Sequence, residues 1–400
     1  MFLIRTWKSF FIVVLAAIIG FSFFSCNDKG KSGEEQINKD ALSPLRDYII
    51  EPGHQTLESF NDITAAELVA KIKIGWNLGN TFDAHRGVEN KNTPVDVIET
   101  RWVPHKTTKD NIDTISNGGF NAIRIPVTWY KVLDSDFIIR EDWLARVTEV
   151  VNYAEANNMY IIINSHHDEE IFKFTNDSVN NSLIKFERVW AQIAVQFKNY
   201  NERLIFEALN EPRTRGSEKE WQGGSSAEHS NLNKHYKVFV DTVRASGGNN
   251  DKRILMVNTY AASAEQAAMN GLVVPADTAP KKIIVSIHAY TPFNYAHENP
   301  GDSTWKSNSS QITGVMNRAS NTFVSKGIPV ILGEFGARVQ KDGPIRNEWA
   351  EFYVKSARDK NIPCIIWDDS GNFKLLDRPT NTFNSDLYLD ALMRGAGNSF

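Results

Sequence analysis

From residue 72 onward, short apolar runs alternate with helix-length amphipathic segments, and no other feature of the chain restricts its fold as much. Eight runs have the length of strands buried on both faces: KIGWN (73–77), NAIRIPV (121–127), YIIINSH (160–166), LIFEALN (204–210), ILMVNTY (254–260), IIVSIHAY (283–290), PVILGEFG (329–336) and PCIIWDD (363–369). Near-continuous apolar strands belong to parallel sheets covered by helices. The segments between the runs supply those helices. In REDWLARVTEVVNYAEANN (140–158), Trp143, Leu144, Val147, Val150, Val151 and Ala154 recur at helical spacing, and SLIKFERVWAQIAVQFKN (182–199) and RNEWAEFYVKSARDKN (346–361) behave alike. Gly118-Gly119, Asn157-Asn158 and Gly327 stand where helices must stop before the next strand. Eight such units in succession predict an α/β fold of the (β/α)8 barrel type. A doubly wound open sheet would carry a phosphate-binding glycine pattern after its first strand, and GWNLGN spaces its glycines differently.

In a barrel the C-terminal ends of all strands meet at one face, where active sites are built. Read to those ends, the runs hold out Trp76 and Asn77, Arg124, His166 and His167, Asn210 and Glu211, Tyr260, His288 and Tyr290, Glu334, and Trp367 and Asp368. The opposite ends supply mostly Lys, Asn and Pro. Each residue alone has an ordinary reading: Arg124 as an ion-pair partner, the histidines as caps or metal ligands, each tryptophan as core. Neighbouring strands offer neither Cys nor a carboxylate triad, so no metal is expected, and no cofactor. The gathering of so many polar and aromatic groups at one end is the functional signal.

Two of these groups are glutamates on runs four and seven, placed across one barrel mouth. Two carboxylates divide the labour of cleaving an acetal: one protonates the leaving oxygen, and the other attacks the anomeric carbon or activates water. The acid is expected to have a raised pKa. Pro212 stiffens the turn that carries Asn210 and Glu211. Arg124, with the His and Tyr groups, would keep the attacking carboxylate ionised. Asn210 suits a sugar hydroxyl beside the reacting carbon, and Trp76, Trp129 and Trp367 offer flat faces for pyranose rings.

The stretches IGWNLGNTFDA (74–84), GFNAIRIPVTW (119–129), INSHHDE (163–169), IFEALNEP (205–212), IHAYTPF (287–293), ILGEFGA (331–337) and IIWDDSGN (365–372) together resemble glycoside hydrolase family 5, and within it the subfamily 4 endoglucanases. The resemblance runs in order over residues 60–395. It implies a retaining endo-β-1,4-glucanase acting on plant cell-wall β-glucans, with Glu211 as acid/base and Glu334 as nucleophile. It also implies that Arg124, His166, Asn210, His288, Tyr290 and Trp367 line the subsite around the cleaved bond. His166 is expected to point inward, with His167 beside it; Trp76 and Asn77 complete the expected substrate-binding set. Where similar enzymes often carry Trp-Gly-Asn-Pro, this chain has RWVPH (101–105), so the cleft rim is expected to differ. A mannanase or xylanase on the same barrel is the alternative within the class. A lipid-anchored, non-catalytic glycan-binding protein is the alternative outside it, although such a protein would usually lose a carboxylate.

The first 26 residues read as a targeting segment. Arg5 and Lys8 precede the apolar run FFIVVLAAIIGFSFF (10–24), and Ser25-Cys26 follows, a layout that resembles a bacterial lipoprotein signal in which Cys26 is lipidated. NDKGKSGEEQINKD (27–40) is polar enough to be a tether, and residues 27–58 as a whole are expected to form a tether with an N-terminal strap at Tyr48–Ile50, ahead of a catalytic barrel over 59–400. The protein is therefore expected on the bacterial cell envelope, held at the outer membrane, as a monomer. A net charge of −4 without a sustained basic run excludes an electrostatic footprint for nucleic acid. Apart from Cys26, only Cys364 remains, so no intramolecular disulfide is expected.

Overall fold

The computed structural model describes residues 45–87, 92–341 and 343–398. Eight parallel strands close in chain order: β1 (Ile74–Leu78), β2 (Ala122–Ile125), β3 (Tyr160–Asn164), β4 (Leu204–Glu207), β5 (Leu255–Ser263), β6 (Ile283–His288), β7 (Val330–Phe335) and β8 (Cys364–Asp368), with β8 paired back onto β1. Each apolar run is thus a strand of a (β/α)8 barrel. The helices Glu141–Ala156, Val179–Phe197 and Gly343–Arg358 fall on the segments with helical spacing. Asn158, Gly119 and Gly327 have φ values of 54°, 93° and 79°, the left-handed stop expected of helix ends.

Alternation along each strand sorts the side chains into two cores. Ala122, Ile162, Ile205, Met256, Ile284, Ile331 and Ile365 fill the barrel interior as an apolar floor. Residues of opposite parity, among them Trp76, Ile123, Phe206, Val257 and Ile366, pack outward against the helices. Above the floor, the same inward positions turn polar, and there the site begins.

Two strand ends differ from the runs in the sequence. β4 stops at Glu207, and Ala208–Pro212 leaves the sheet as a turn. β5 continues to Ser263 through a register shift, with Ala261 and Ala262 in the left-handed region at φ 54° and 47°. That conformation is strained for a residue with a Cβ. Here it turns the Ala261 N–H onto the Pro212 carbonyl at 2.8 Å, so the bulge in β5 clamps the turn that carries Glu211.

Residues 45–58 are docked along the outer helices, from the start of Glu141–Ala156, where Arg46 Nη2 donates to the Ile139 carbonyl at 2.9 Å, to the end of Val179–Phe197. Gln196 accepts from the Ile50 N–H at 2.8 Å and donates to the Ile50 carbonyl at 2.7 Å, while Asn199 donates to the His54 carbonyl at 2.7 Å. Ile50 packs on the core and Tyr48 is exposed. The targeting segment, Cys26 and the tether up to residue 44 lie outside the described residues. No helix among the described residues is long and apolar enough to cross a membrane.

Candidate active site

Asn77, Arg124, Asn164, Glu207 and Asn258 form the polar tier above the apolar floor, and all five are fully buried. Arg124 is its hub. Its Nε donates to Glu207 Oε2 at 2.6 Å, its Nη1 to Asn77 Oδ1 at 3.0 Å and Glu334 Oε1 at 2.8 Å, and its Nη2 to Asn210 Oδ1 at 2.7 Å. Burial disfavours the charged guanidinium, but Glu207 and Glu334 outweigh it and hold the group cationic. Asn77 spends its amide on the carbonyls of Gly333 and Ile365, at 3.0 and 3.2 Å, and so locks Arg124 to β7 and β8.

Glu334, on β7, receives Arg124 on one oxygen and the Tyr290 hydroxyl on the other, at 2.9 Å. Burial, reinforced by the charges of Glu334 and Glu211, pushes the Tyr290 phenol far up, so it stays a neutral donor. Gly333 makes room for this packing. A Cβ there would stand 2.6 Å from Ser286 Oγ and 3.0 Å from His288 Nε2.

Glu211 approaches from β4. His288 Nδ1 lies 3.1 Å from Glu211 Oε1 and 3.7 Å from Glu334 Oε2, so one imidazole touches both carboxylates. An oxygen of Glu211, an oxygen of Glu334 and a His288 ring nitrogen all lie within 4.8 Å of one another. Arg213 Nη1 donates to the Glu211 carbonyl at 2.9 Å and reaches its carboxylate at 3.5 Å. Burial pushes the Glu211 carboxyl up, but the hydrogen bond with His288 and the charges of His288, Arg213 and Arg124 outweigh it and hold the group below the usual range. The sequence reading expects the opposite direction for an acid. The reversal comes chiefly from His288, which another strand brings to Glu211, with Arg213, two residues along the chain, and Arg124, from β2, adding to it.

His166 is the inward histidine. Its ring lies parallel to Trp367, 8° between planes and 5.9 Å between centroids, and Asn164 contacts its Nδ1 at 3.2 Å. Burial, with the charges of His167 and Arg124, holds its pKa well below the ordinary value, so it is neutral. His167 turns aside to His85 and Trp102, with centroids at 4.5 and 6.1 Å. Trp102 belongs to RWVPH, so this altered stretch still places an indole at the rim.

Three of the residues expected to bind substrate stand elsewhere. Trp76 presents no face to a sugar: with Gly75 and Asn77 turned inward, parity sends its ring into the outer core, fully buried, its indole N–H on Asp368 Oδ2 at 2.9 Å. Trp129 is buried likewise, on the Asn164 carbonyl. Asn77 holds Arg124 from below and does not face the cleft. The partly exposed Trp367 is the tryptophan of that trio left at the mouth. Tyr260 is a prop: its hydroxyl accepts from the Thr214 N–H at 3.0 Å and donates to Glu228 at 2.6 Å. Sequence reasoning missed Glu207, Asn164 and Asn258. Their signal was parity, because Glu207 shares the inward face of Ile205 within an otherwise apolar strand.

Among the described residues, two groups near the mouth bring metal-ligand atoms together, Glu211/His288/Glu334 and Asp83/His166/His167. The first set is engaged by Arg124 and Tyr290. In the second, Asp83 already accepts from the Asn80 and Thr81 N–H groups at 3.1 and 2.7 Å. Hydrogen bonds thus account for both carboxylate sets.

Residues 87–372 match the profile of the family described as Cellulase (glycosyl hydrolase family 5). Endoglucanase A of Clostridium longisporum is 41% identical over 347 residues, covering 84% of this chain and 66% of its own length. Endoglucanase A of Ruminococcus albus is 41% identical over 352 residues, covering 84% of this chain and 93% of its own. The chain spans just under two thirds of the first of these relatives. Among solved structures, a GH5-4 broad-specificity endoglucanase from Ruminococcus champanellensis with bound cellotriose aligns at a TM-score of 0.82 and 42% identity, over 84% of this chain and 100% of that one. A family 5 lichenase from Caldicellulosiruptor sp. F32 aligns at 0.79 and 39%, over 87% and 100%. The chain belongs to glycoside hydrolase family 5, is most like the subfamily 4 endoglucanases, and is a glycoside hydrolase of the endo-β-glucanase type.

Proposed function

We propose that the protein hydrolyses internal β-1,4 bonds of cellulose-type, mixed-linkage or xyloglucan chains with retention, Glu334 acting as nucleophile and Glu211 as acid and then base. The observation that carries this reading is the pair of carboxylate oxygens within 4.8 Å, with His288 between them. Retaining enzymes hold their carboxyls about 5–5.5 Å apart, whereas inverting enzymes leave about 6.5–9.5 Å for a water. Glu334 attacks the anomeric carbon while the Glu211 proton passes to the leaving oxygen; water, deprotonated by Glu211, then releases the sugar from Glu334. Arg124 and Tyr290 hold Glu334 as an anion aimed at carbon. Asn210, with its oxygen held by Arg124, keeps its amide N–H groups for a sugar hydroxyl. Substrate excludes water from the mouth, and desolvation, already the largest influence on Glu211, then raises it toward a donor's range. His166, Trp367 and, at the rim, His167 and Trp102 form the wall against which a pyranose ring lies.

A β-glucan fits better than mannan or xylan because the relatives are endoglucanases and one was solved with cellotriose. Product profiles of the purified protein on cellulose-type, mixed-linkage, xyloglucan, glucomannan and xylan polymers test this. Oligosaccharides from the glucans are expected; release from mannan or xylan alone would contradict it. The protein is further read as a monomer held on the bacterial envelope by lipid on Cys26, supported by the apolar run, Ser25-Cys26 and the polar stretch after it. Cys26→Ala should abolish lipid labelling and free the protein from the membrane fraction; unchanged retention contradicts the anchor.

A further inference from the structure

Beneath the two mouth glutamates lies a third carboxylate to which the reaction gives no role. Glu207, the last residue of β4, is fully buried. Its Oε2 accepts from Arg124 Nε at 2.6 Å and Asn164 Nδ2 at 3.1 Å, and its Oε1 from Asn258 Nδ2 at 2.9 Å. A buried ion pair is costly to retain, and apolar side chains in place of both partners would fill the same space more cheaply. What the carboxylate adds is direction and charge. The guanidinium is planar with its donors in a rigid fork, so holding Nε aims both terminal nitrogens at once. With Nε on Glu207, Nη1 meets Glu334 and Nη2 meets Asn210.

We propose that Glu207 is a positioning residue for the hydrolysis: it aims Arg124 at Glu334 and takes up part of its charge, so that Glu334 stays an anion but remains reactive. This rests on the reading of Glu334 as nucleophile. An anion facing an uncompensated guanidinium in a dry site is stabilised too well, and a more stabilised carboxylate is a weaker base and a weaker nucleophile. Glu207 divides the field of Arg124 between two carboxylates. The other titratable groups around it do not change this balance. Burial drives the Tyr236 phenol, from the helix Ser226–Ala245, far up, leaving it neutral, and His166 behind Asn164 is neutral as well. Glu211 and His288 lie beyond Glu334, and Asn164 and Asn258 carry no charge.

The site also allows a clean test. Asn258 Oδ1 is buried with no partner among the described residues. In Glu207→Gln a flip of the Asn258 amide would present that oxygen to the new side-chain N–H, so shape and hydrogen bonds survive while the charge is removed. On an aryl β-cellobioside with a good leaving group, the acid limb of kcat/KM is expected to move about one unit to lower pH. Covalent trapping by a 2-deoxy-2-fluoro-β-cellobioside should slow about tenfold at neutral pH, as a one-unit shift converts. Glu207→Asp keeps the charge and shortens the reach, so its acid limb should stay in place while trapping slows. An acid limb that is unmoved in folded Glu207→Gln, or moves to higher pH, overturns the proposal. Failure of both variants to fold assigns Glu207 to the fold and overturns it too. Mass spectrometry of the trapped parent enzyme separates the two readings: a label away from Glu334 removes the nucleophile assignment, whereas a label on Glu334 with no shift in the limb removes this inference alone.

Discussion

Glu211 works under opposing demands. It must carry a proton for the first step, yet His288, Arg213 and Arg124 favour its ionised form. An acid so placed is indispensable only where the leaving group needs its proton. Glu211→Gln is therefore expected to slow polymer hydrolysis by about 10²–10⁴-fold, the usual contribution of a general acid. Formation of the glycosyl-enzyme from a dinitrophenyl β-cellobioside should be largely spared, because dinitrophenolate departs unprotonated. Steady-state rates on the polymer, with burst kinetics on the aryl glycoside, check this; equal losses would remove Glu211 from the acid role. Residues such as Glu211 and Glu334 were legible because charged groups at apolar strand ends stand out. Trp76 was misread for the converse reason. In a strand buried on both faces, an apolar ring gives no sign of which side it takes, and only the polarity of Asn77 beside it, the inward neighbour, set the phase.

At the scale of elements, the strands and helices followed from periodicity, but the loops that shape the mouth are set by contacts between distant turns. Asp168, after β3, illustrates this. Its Oδ1 accepts from the backbone of Trp129 and Tyr130, beyond β2, at 2.9 and 2.8 Å, and its Oδ2 accepts from Ser165 Oγ at 2.5 Å. Burial, against those bonds, raises its pKa to about 7. A carboxyl with a folded pKa above its unfolded value binds protons more tightly when folded, so its contribution is complete below the ordinary range near 3.8 and is lost as pH rises through about 7. Asparagine accepts from the same two N–H groups and can donate to Ser165 Oγ without ever ionising. Asp168→Asn should therefore gain on the parent in Tm by a few degrees as the pH rises from about 4 to about 8. Calorimetry at the two ends of that range checks it, and a difference independent of pH would contradict the assigned cause. The strained bulge at Ala261 and Ala262 was invisible for a related reason: nothing local in ILMVNTY asks for it, and its purpose is a bond to Pro212 in the turn after β4.

For the molecule as a whole, the barrel was readable because eight apolar runs separated by amphipathic helices leave little choice of closure. The docked strap at 45–58 was only half readable. Tyr48-Ile49-Ile50 showed apolar character, but the grip on Ile50 comes from Gln196, far along the chain. Least readable was the polar tier inside the barrel, where Arg124 joins β1, β4 and β7 and carries order from the interior to the mouth. All of these parts bear on a single chemical claim, that Glu334 attacks carbon while Glu211 manages the proton. Azide tests that claim most directly, since it enters the space that a shortened glutamate vacates and bonds the anomeric carbon as an activated leaving group departs. With an aryl β-cellobioside, Glu334→Gly should form the α-glycosyl azide, because azide replaces the missing nucleophile and inverts once. Glu211→Gly should form the β-glycosyl azide, because azide attacks the intermediate already bonded to Glu334. A β-azide from Glu334→Gly, or an α-azide from Glu211→Gly, would contradict the assignment.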